Sequence, residues 1–101
     1  MAKKANFTIY LKKGIGVDKE SQTVGRGKTV RWWNKDNRAH LISFDEWPFV
    51  ELPQVIALAK NARSKIFTVY PNQEKRGYSY SVTPAITKGG PPDSPEIVIS
   101  D

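Results

Sequence analysis

Apolar residues in this chain return at every second position, in short runs that turn residues cut off. Phe7, Ile9 and Leu11 alternate with Asn6, Thr8 and Tyr10, and Val30 and Trp32 alternate with Arg31 and Trp33. A period of two belongs to a strand with one buried face, because successive side chains leave opposite sides of the backbone. The same pattern predicts strands over residues 40–44, 64–70, 77–83 and 96–100, with Thr23-Val24 as a short extended piece. The stretches 14–16, 25–28, 34–37, 45–48, 71–76 and 88–93 hold the Gly, Pro, Asn and Asp that turns use. Residues 51–62 keep no helical stripe for three turns and read as irregular or extended, although Pro53 stands where a short helix would begin. About six or seven short strands with regular turns predict a sandwich or barrel. With 101 residues, no repeat and no linker, residues 1–101 are expected to form a single domain.

The chemistry open to the chain is narrow. It has no cysteine, one histidine (His40) and one methionine (Met1). Disulfides, zinc fingers, iron–sulfur clusters and thiolate nucleophiles are therefore excluded. A Ser-His-Asp arrangement would need His40, and no Gly-x-Ser-x-Gly turn is present. The stretch Gly25 to Thr29 lacks the length and the following helix of a phosphate loop. The acidic pairs Asp45-Glu46 and Asp18/Glu20 have no spacing that marks acid–base work. An enzyme is not expected. The longest apolar run, Val55 to Ala59, falls far short of the roughly 20 residues that span a bilayer, so no membrane span is expected. Lys3 and Lys4 resemble the charged start of a leader but no apolar stretch follows. The compartment stays open: extracytoplasmic (periplasmic or secreted) if a leader was removed, cytoplasmic otherwise.

Charge is uneven. The net charge is +6, and residues 1–40 hold ten Lys/Arg against three Asp/Glu. A solvated basic face accounts for this, and an anionic partner is the alternative. The candidate partner surface is Trp33 with Arg31, Arg26, Lys28 and Lys35, since aromatics stack bases and cations neutralise phosphates. Strand alternation sends Trp32 into the core and leaves Trp33 exposed or covered by a loop, so a single platform aromatic remains and nucleic acid ranks behind the bland reading. Tyr78 and Tyr80 are expected in the core, Tyr10 and Tyr70 partly buried, and Trp47-Pro48-Phe49 as a plug at the sandwich end rather than a patch for a protein partner. The chain is expected to be a monomer.

Gly27 to Asp36 followed by Ala39-His40 resembles the middle of the small blue-copper proteins, the cupredoxins. There a Gly-x-Thr-Val strand leads to an aromatic, an Asn-x-Asp turn and a copper-ligating histidine. Phe67-Thr68-Val69 and then Gly77 to Ala85 resemble the segment Gly-Tyr-x-Tyr-x-Cys-Thr-Pro-His of pseudoazurin-like members, and Glu96 to Ile99 resembles the closing strand. The resemblance spans most of residues 5–100 and implies an all-β, Greek-key β-sandwich of about seven short strands. It places His40 at the first imidazole ligand, Val82 at the cysteine and Ala85 at the second histidine, and no methionine stands near the last loop. A blue-copper centre needs two imidazoles and a thiolate. Val82 and Ala85 are then vestigial ligand positions filled with hydrocarbon.

The resemblance and these departures imply a cupredoxin-like, non-catalytic binding or structural module that has lost the type 1 copper site and carries no cofactor. Two alternatives stand beside it. One is a module that binds copper or zinc weakly through His40 with a carboxylate such as Asp36, Asp45 or Glu46. The other is a basic domain for nucleic acid or another polyanion. A core is expected from Phe7, Ile9, Leu11, Val30, Trp32, Ile42, Phe67, Val69, Tyr80, Val82, Ile97 and Ile99.

Overall fold

A computed structural model of the chain describes residues 5–13, 16–84, 86 and 95–101. Among them the secondary structure is all strand: β1 (Phe7–Lys12), β2 (Gly16–Val17), β3 (Ser21–Gly25), β4 (Thr29–Asn34), β5 (His40–Phe44), β6 (Val55–Leu58), β7 (Phe67–Thr68), β8 (Gly77–Thr83) and β9 (Glu96–Ser100). Two sheets form, in the orders β2-β1-β4-β7 and β3-β9-β8-β5-β6. β1 runs parallel to β4 and β3 parallel to β9, and the remaining pairs are antiparallel.

Alternation decides which residues meet between the sheets. In β4 the buried residues are Val30, Trp32 and Asn34, and in β9 they are Ile97 and Ile99. Trp32 is fully buried, and the rings of Tyr80, Phe44, Phe49 and Phe67 meet it edge to face with centroids 5.6 to 6.1 Å away. Edge-to-face contact sets the positive rim of one ring against the negative face of the next. The Trp32 indole N–H also lies 3.4 Å from the Tyr80 hydroxyl.

Ten of the twelve predicted core residues are buried, while Phe7 and Val82 are partly buried against that core. Nine strands replace the expected seven because Gly16-Val17 and Val55–Leu58 pair as short edge strands. The reading of 51–62 as extended agrees with β6, whose alternate residues Ile56 and Leu58 are buried. The strand expected over 64–70 is shorter: Phe67–Thr68 pair with β4, and Val69 forms an isolated bridge to Phe49. Tyr78, expected in the core, is buried, and Phe49 plugs the interior as expected of its loop. Tyr70 is a correction: it is 40% exposed, since it follows β7 into a turn beyond the packed layer. Val17, Val24, Ile56, Leu58 and Ile86 join the core without a pattern that marked them. The loop expected over 88–93 lies outside the described residues.

Candidate functional site

The turn between β4 and β5 and the end of β8 build a polar cluster beside the apolar core. Asn34, Asp36 and His40 are its buried polar residues. Asn34 closes β4 with its side chain inward. Its Oδ1 accepts the backbone N–H of Asp36 at 2.9 Å, a local turn that Asn forms readily. Its Nδ2 lies 2.7 Å from the Arg38 carbonyl, 3.1 Å from that of Ala59 and 3.3 Å from that of Leu58. One amide thus ties the turn to the end of β6.

Asp36 is held by this turn with its carboxylate pointing at His40. Oδ2 lies 2.6 Å from His40 Nε2 and 3.4 Å from Arg38 Nε, and Oδ1 accepts the Asn37 N–H at 2.8 Å. Burial pushes the Asp36 carboxyl up. The hydrogen bonds from His40 and the Asn37 backbone and the charge of Arg38 outweigh burial and hold it below the ordinary carboxylate range. On the other side of the ring, His40 Nδ1 lies 2.8 Å from the Pro84 carbonyl, one step past the Leu41–Thr83 pairing of β5 and β8. Each ring nitrogen of His40 therefore faces an oxygen acceptor, and the His40 side chain has no solvent exposure. Arg38 reaches the Ile86 carbonyl with Nη2 at 3.1 Å and so ties the same turn to the segment after β8.

The carboxylates considered beside His40 divide. Asp36 is its partner, whereas Asp45 lies beyond the far end of β5 and Glu46 pairs with Arg76. Val82 lies on β8 opposite Ile42, partly buried against the core. Ala85 lies outside the described residues. Among the described residues no three His, Asp or Glu side chains group as a metal ion would need.

The candidate partner surface also divides. Arg31, Trp33 and Lys35 lie along the outer side of β4 and its end. Arg26 and Lys28 sit in the turn before β4, roughly 15 Å from Trp33 along the strand. There Arg26 lies 3.8 Å from the Asp101 carboxylate. Trp33 is covered, as one reading expected, and the cover is cationic. Lys35 Nζ stands 3.8 Å from the ring centroid and the Arg63 guanidinium carbon 4.8 Å.

Solved structures with this architecture are numerous. A copper(I) form of an amicyanin variant superposes with a TM-score of 0.66 at 19% identity, over 99% of this chain and 86% of that one. A purple cupredoxin from Nitrosopumilus maritimus superposes with a TM-score of 0.67 at 17% identity, over 94% of this chain and 100% of that one. The chain has the cupredoxin fold. Identities this low speak for the fold alone. In sequence, no protein-family model matches the chain, and no curated protein does. Among the described residues no helix is long and apolar enough to cross a membrane.

The fold family implies copper, and the donors here can be tested against it. A blue-copper centre takes two imidazoles and a thiolate. His40 has both nitrogens engaged by protein oxygens, and β8 offers the hydrocarbon of Val82 where the resemblance puts the thiolate. These residues do not supply that donor set.

Proposed function

We propose that this chain is a cupredoxin-fold module that has lost the type 1 copper site and works by binding rather than by electron transfer. A hydrogen-bonded lock stands in the place of the metal centre. The observation that carries this reading is the engagement of His40: Asp36 at 2.6 Å on one nitrogen and the Pro84 carbonyl at 2.8 Å on the other. In a copper site the metal joins the turn after β4 to the end of β8. Here the imidazole joins the same two elements through hydrogen bonds, one of them to a charged carboxylate and so among the stronger kind.

The loss of soft donors argues in the same direction. Valine donates no electron pair, so a thiolate-to-copper charge-transfer centre has no chemical basis at this position. Among the described residues no catalytic constellation accompanies the lock, and the module is read as non-enzymatic and without a cofactor. The alternative of weak copper or zinc binding at His40 would require the ring to leave either Asp36 or Pro84. Such a ligand would have to repay a buried, charge-assisted hydrogen bond with a single metal–nitrogen bond, and lone imidazoles bind metals loosely.

Titration with Cu(II), followed by visible absorption and calorimetry, tests the reading. No intense blue or purple band and no stoichiometric tight binding are expected. Nanomolar binding that His40→Ala abolishes would overturn it.

A further inference from the structure

On the outer face of the smaller sheet lies a feature that sequence alternation hid. β1 and β4 pair in parallel, and their register sets Tyr10 beside Trp33. The two rings lie 5.8 Å apart, centroid to centroid, tilted by 32°. Trp33 is therefore one of two neighbouring aromatics, not a lone platform. An isolated bridge to Arg63 brings a further segment alongside β4, which sets the guanidinium over the indole. Lys35 hovers over both rings, 3.8 Å from Trp33 and 5.9 Å from Tyr10. Arg31 shares the outer side of β4 with Trp33.

These cations lack the usual counterweight. Among the described residues, the Lys and Arg side chains in ion pairs are Lys19, Arg26, Arg38, Lys75 and Arg76. Among the described residues no carboxylate lies within ion-pair distance of Arg31, Lys35 or Arg63. The nearby carboxylate of Asp18 is turned inward, with Oδ1 accepting the Tyr10 backbone N–H at 2.8 Å. The chain as a whole holds a surplus of six positive charges. A surface with two ring faces and unpaired cations is complementary to a ligand with flat rings and regularly spaced anions.

We propose that the Tyr10–Trp33 face, with Lys35, Arg63 and Arg31, binds single-stranded nucleic acid. Rings on adjacent strands of a sheet can take one base each, because bases of a single strand splay out of their own stack and stack on aromatic faces instead. Lys35 and Arg63 sit on long flexible stems. When a base stacks on Trp33 they swing from the ring to the flanking phosphates, exchanging one favourable contact for a charge pair. Arg31, two residues along β4, extends the phosphate track. This proposal stands independently of the metal reading, since it uses the opposite surface of β4 from the Asn34 amide.

The test is fluorescence anisotropy of a labelled twelve-residue oligothymidylate with the intact chain. Binding is expected at low salt, with a slope of log K against log salt of about −2, since single strands release about 0.7 counterions per phosphate neutralised and three cations are in play. Trp33→Leu and Tyr10→Leu should each weaken binding about fivefold or more. Lys35→Gln with Arg63→Gln should flatten the slope by about 1.4. Circular dichroism and urea midpoints check folding, and should Trp33→Leu not fold, Tyr10→Leu and the charge variant carry the test. Absence of an anisotropy rise at low salt overturns the proposal. So does binding by both leucine variants as tight as that of the unaltered chain, or heparin competing as a tighter ligand that the leucine substitutions leave unaffected, which would mark an acidic polysaccharide instead.

Discussion

If hydrogen bonds to His40 knit the turn after β4 to β8, then Asp36 and His40 must be energetically coupled. The coupling can be measured with Asp36→Ala, His40→Ala and the double variant. Asp36→Ala removes the 2.6 Å contact to a His40 side chain that no solvent reaches, so the abandoned N–H has no water to replace the carboxylate. Leaving a buried donor without its charged acceptor costs about 3 kcal/mol. The Asn37 N–H, on an exposed residue, loses its acceptor too but rehydrates, adding about 0.5 kcal/mol. His40→Ala strands the carboxylate in turn and should cost a similar amount. In the double variant neither group is left behind, so its loss should fall short of the sum by about 2 kcal/mol. Against a typical total of about 5–15 kcal/mol each single change is severe, and a melting point would drop by roughly 12–25 °C. Urea unfolding gives each free energy, and a constant m-value confirms that the same surface unfolds in every variant. A coupling below about 0.5 kcal/mol, with single variants near native stability, would refute the reasoning.

Three further outcomes follow from the same geometry. The native Asp36 carboxyl binds its proton more weakly than the unfolded chain does, so its contribution is intact above the ordinary carboxylate pKa of about 3.9 and is lost as pH falls through the lowered native value; urea midpoints across acid pH should show a limb that Asp36→Asn flattens. Asn34→Ala strips the amide that holds three carbonyls and a backbone N–H, and should destabilise by about 3 kcal/mol, whereas a loss within about 0.5 kcal/mol would mean that the turn holds itself. Trp32→Ala leaves a cavity among four aromatic rings and should cost about 4–5 kcal/mol in urea unfolding, enough that a folded, near-native variant would contradict the packing described.

What the sequence made legible and what it hid have physical reasons. β1, β4, β5, β8 and β9 are long enough for alternation to show, and Trp32 shares Val30's face as that period demands. β2 and β6 could not be read this way: two residues hold no period, and Val55-Ile56-Ala57-Leu58 is apolar on both faces because Val55 and Ala57 stay exposed at a sheet edge. Phe49 and Ile86 reach the core from loops, where no spacing announces burial. At the site, the sequence offered Asp36 as a carboxylate near His40 but did not reveal its direct contact with the ring. Pro84 closes the lock from 44 residues away, a partner that only the β5–β8 register supplies. Tyr10 was likewise visible as a residue but not as Trp33's neighbour, because parallel pairing between β1 and β4 has no local signature.

The proposed exchange of a metal for hydrogen bonds at His40 is tested most directly by long-range proton–nitrogen correlation of its imidazole, recorded with the chain alone and with equimolar Zn(II) or Cu(I). Nitrogen resonances that keep their hydrogen-bonded positions through both additions are the predicted result. A shift of Nδ1 into the metal-bound range, with loss of the contact to the Pro84 carbonyl, would contradict it.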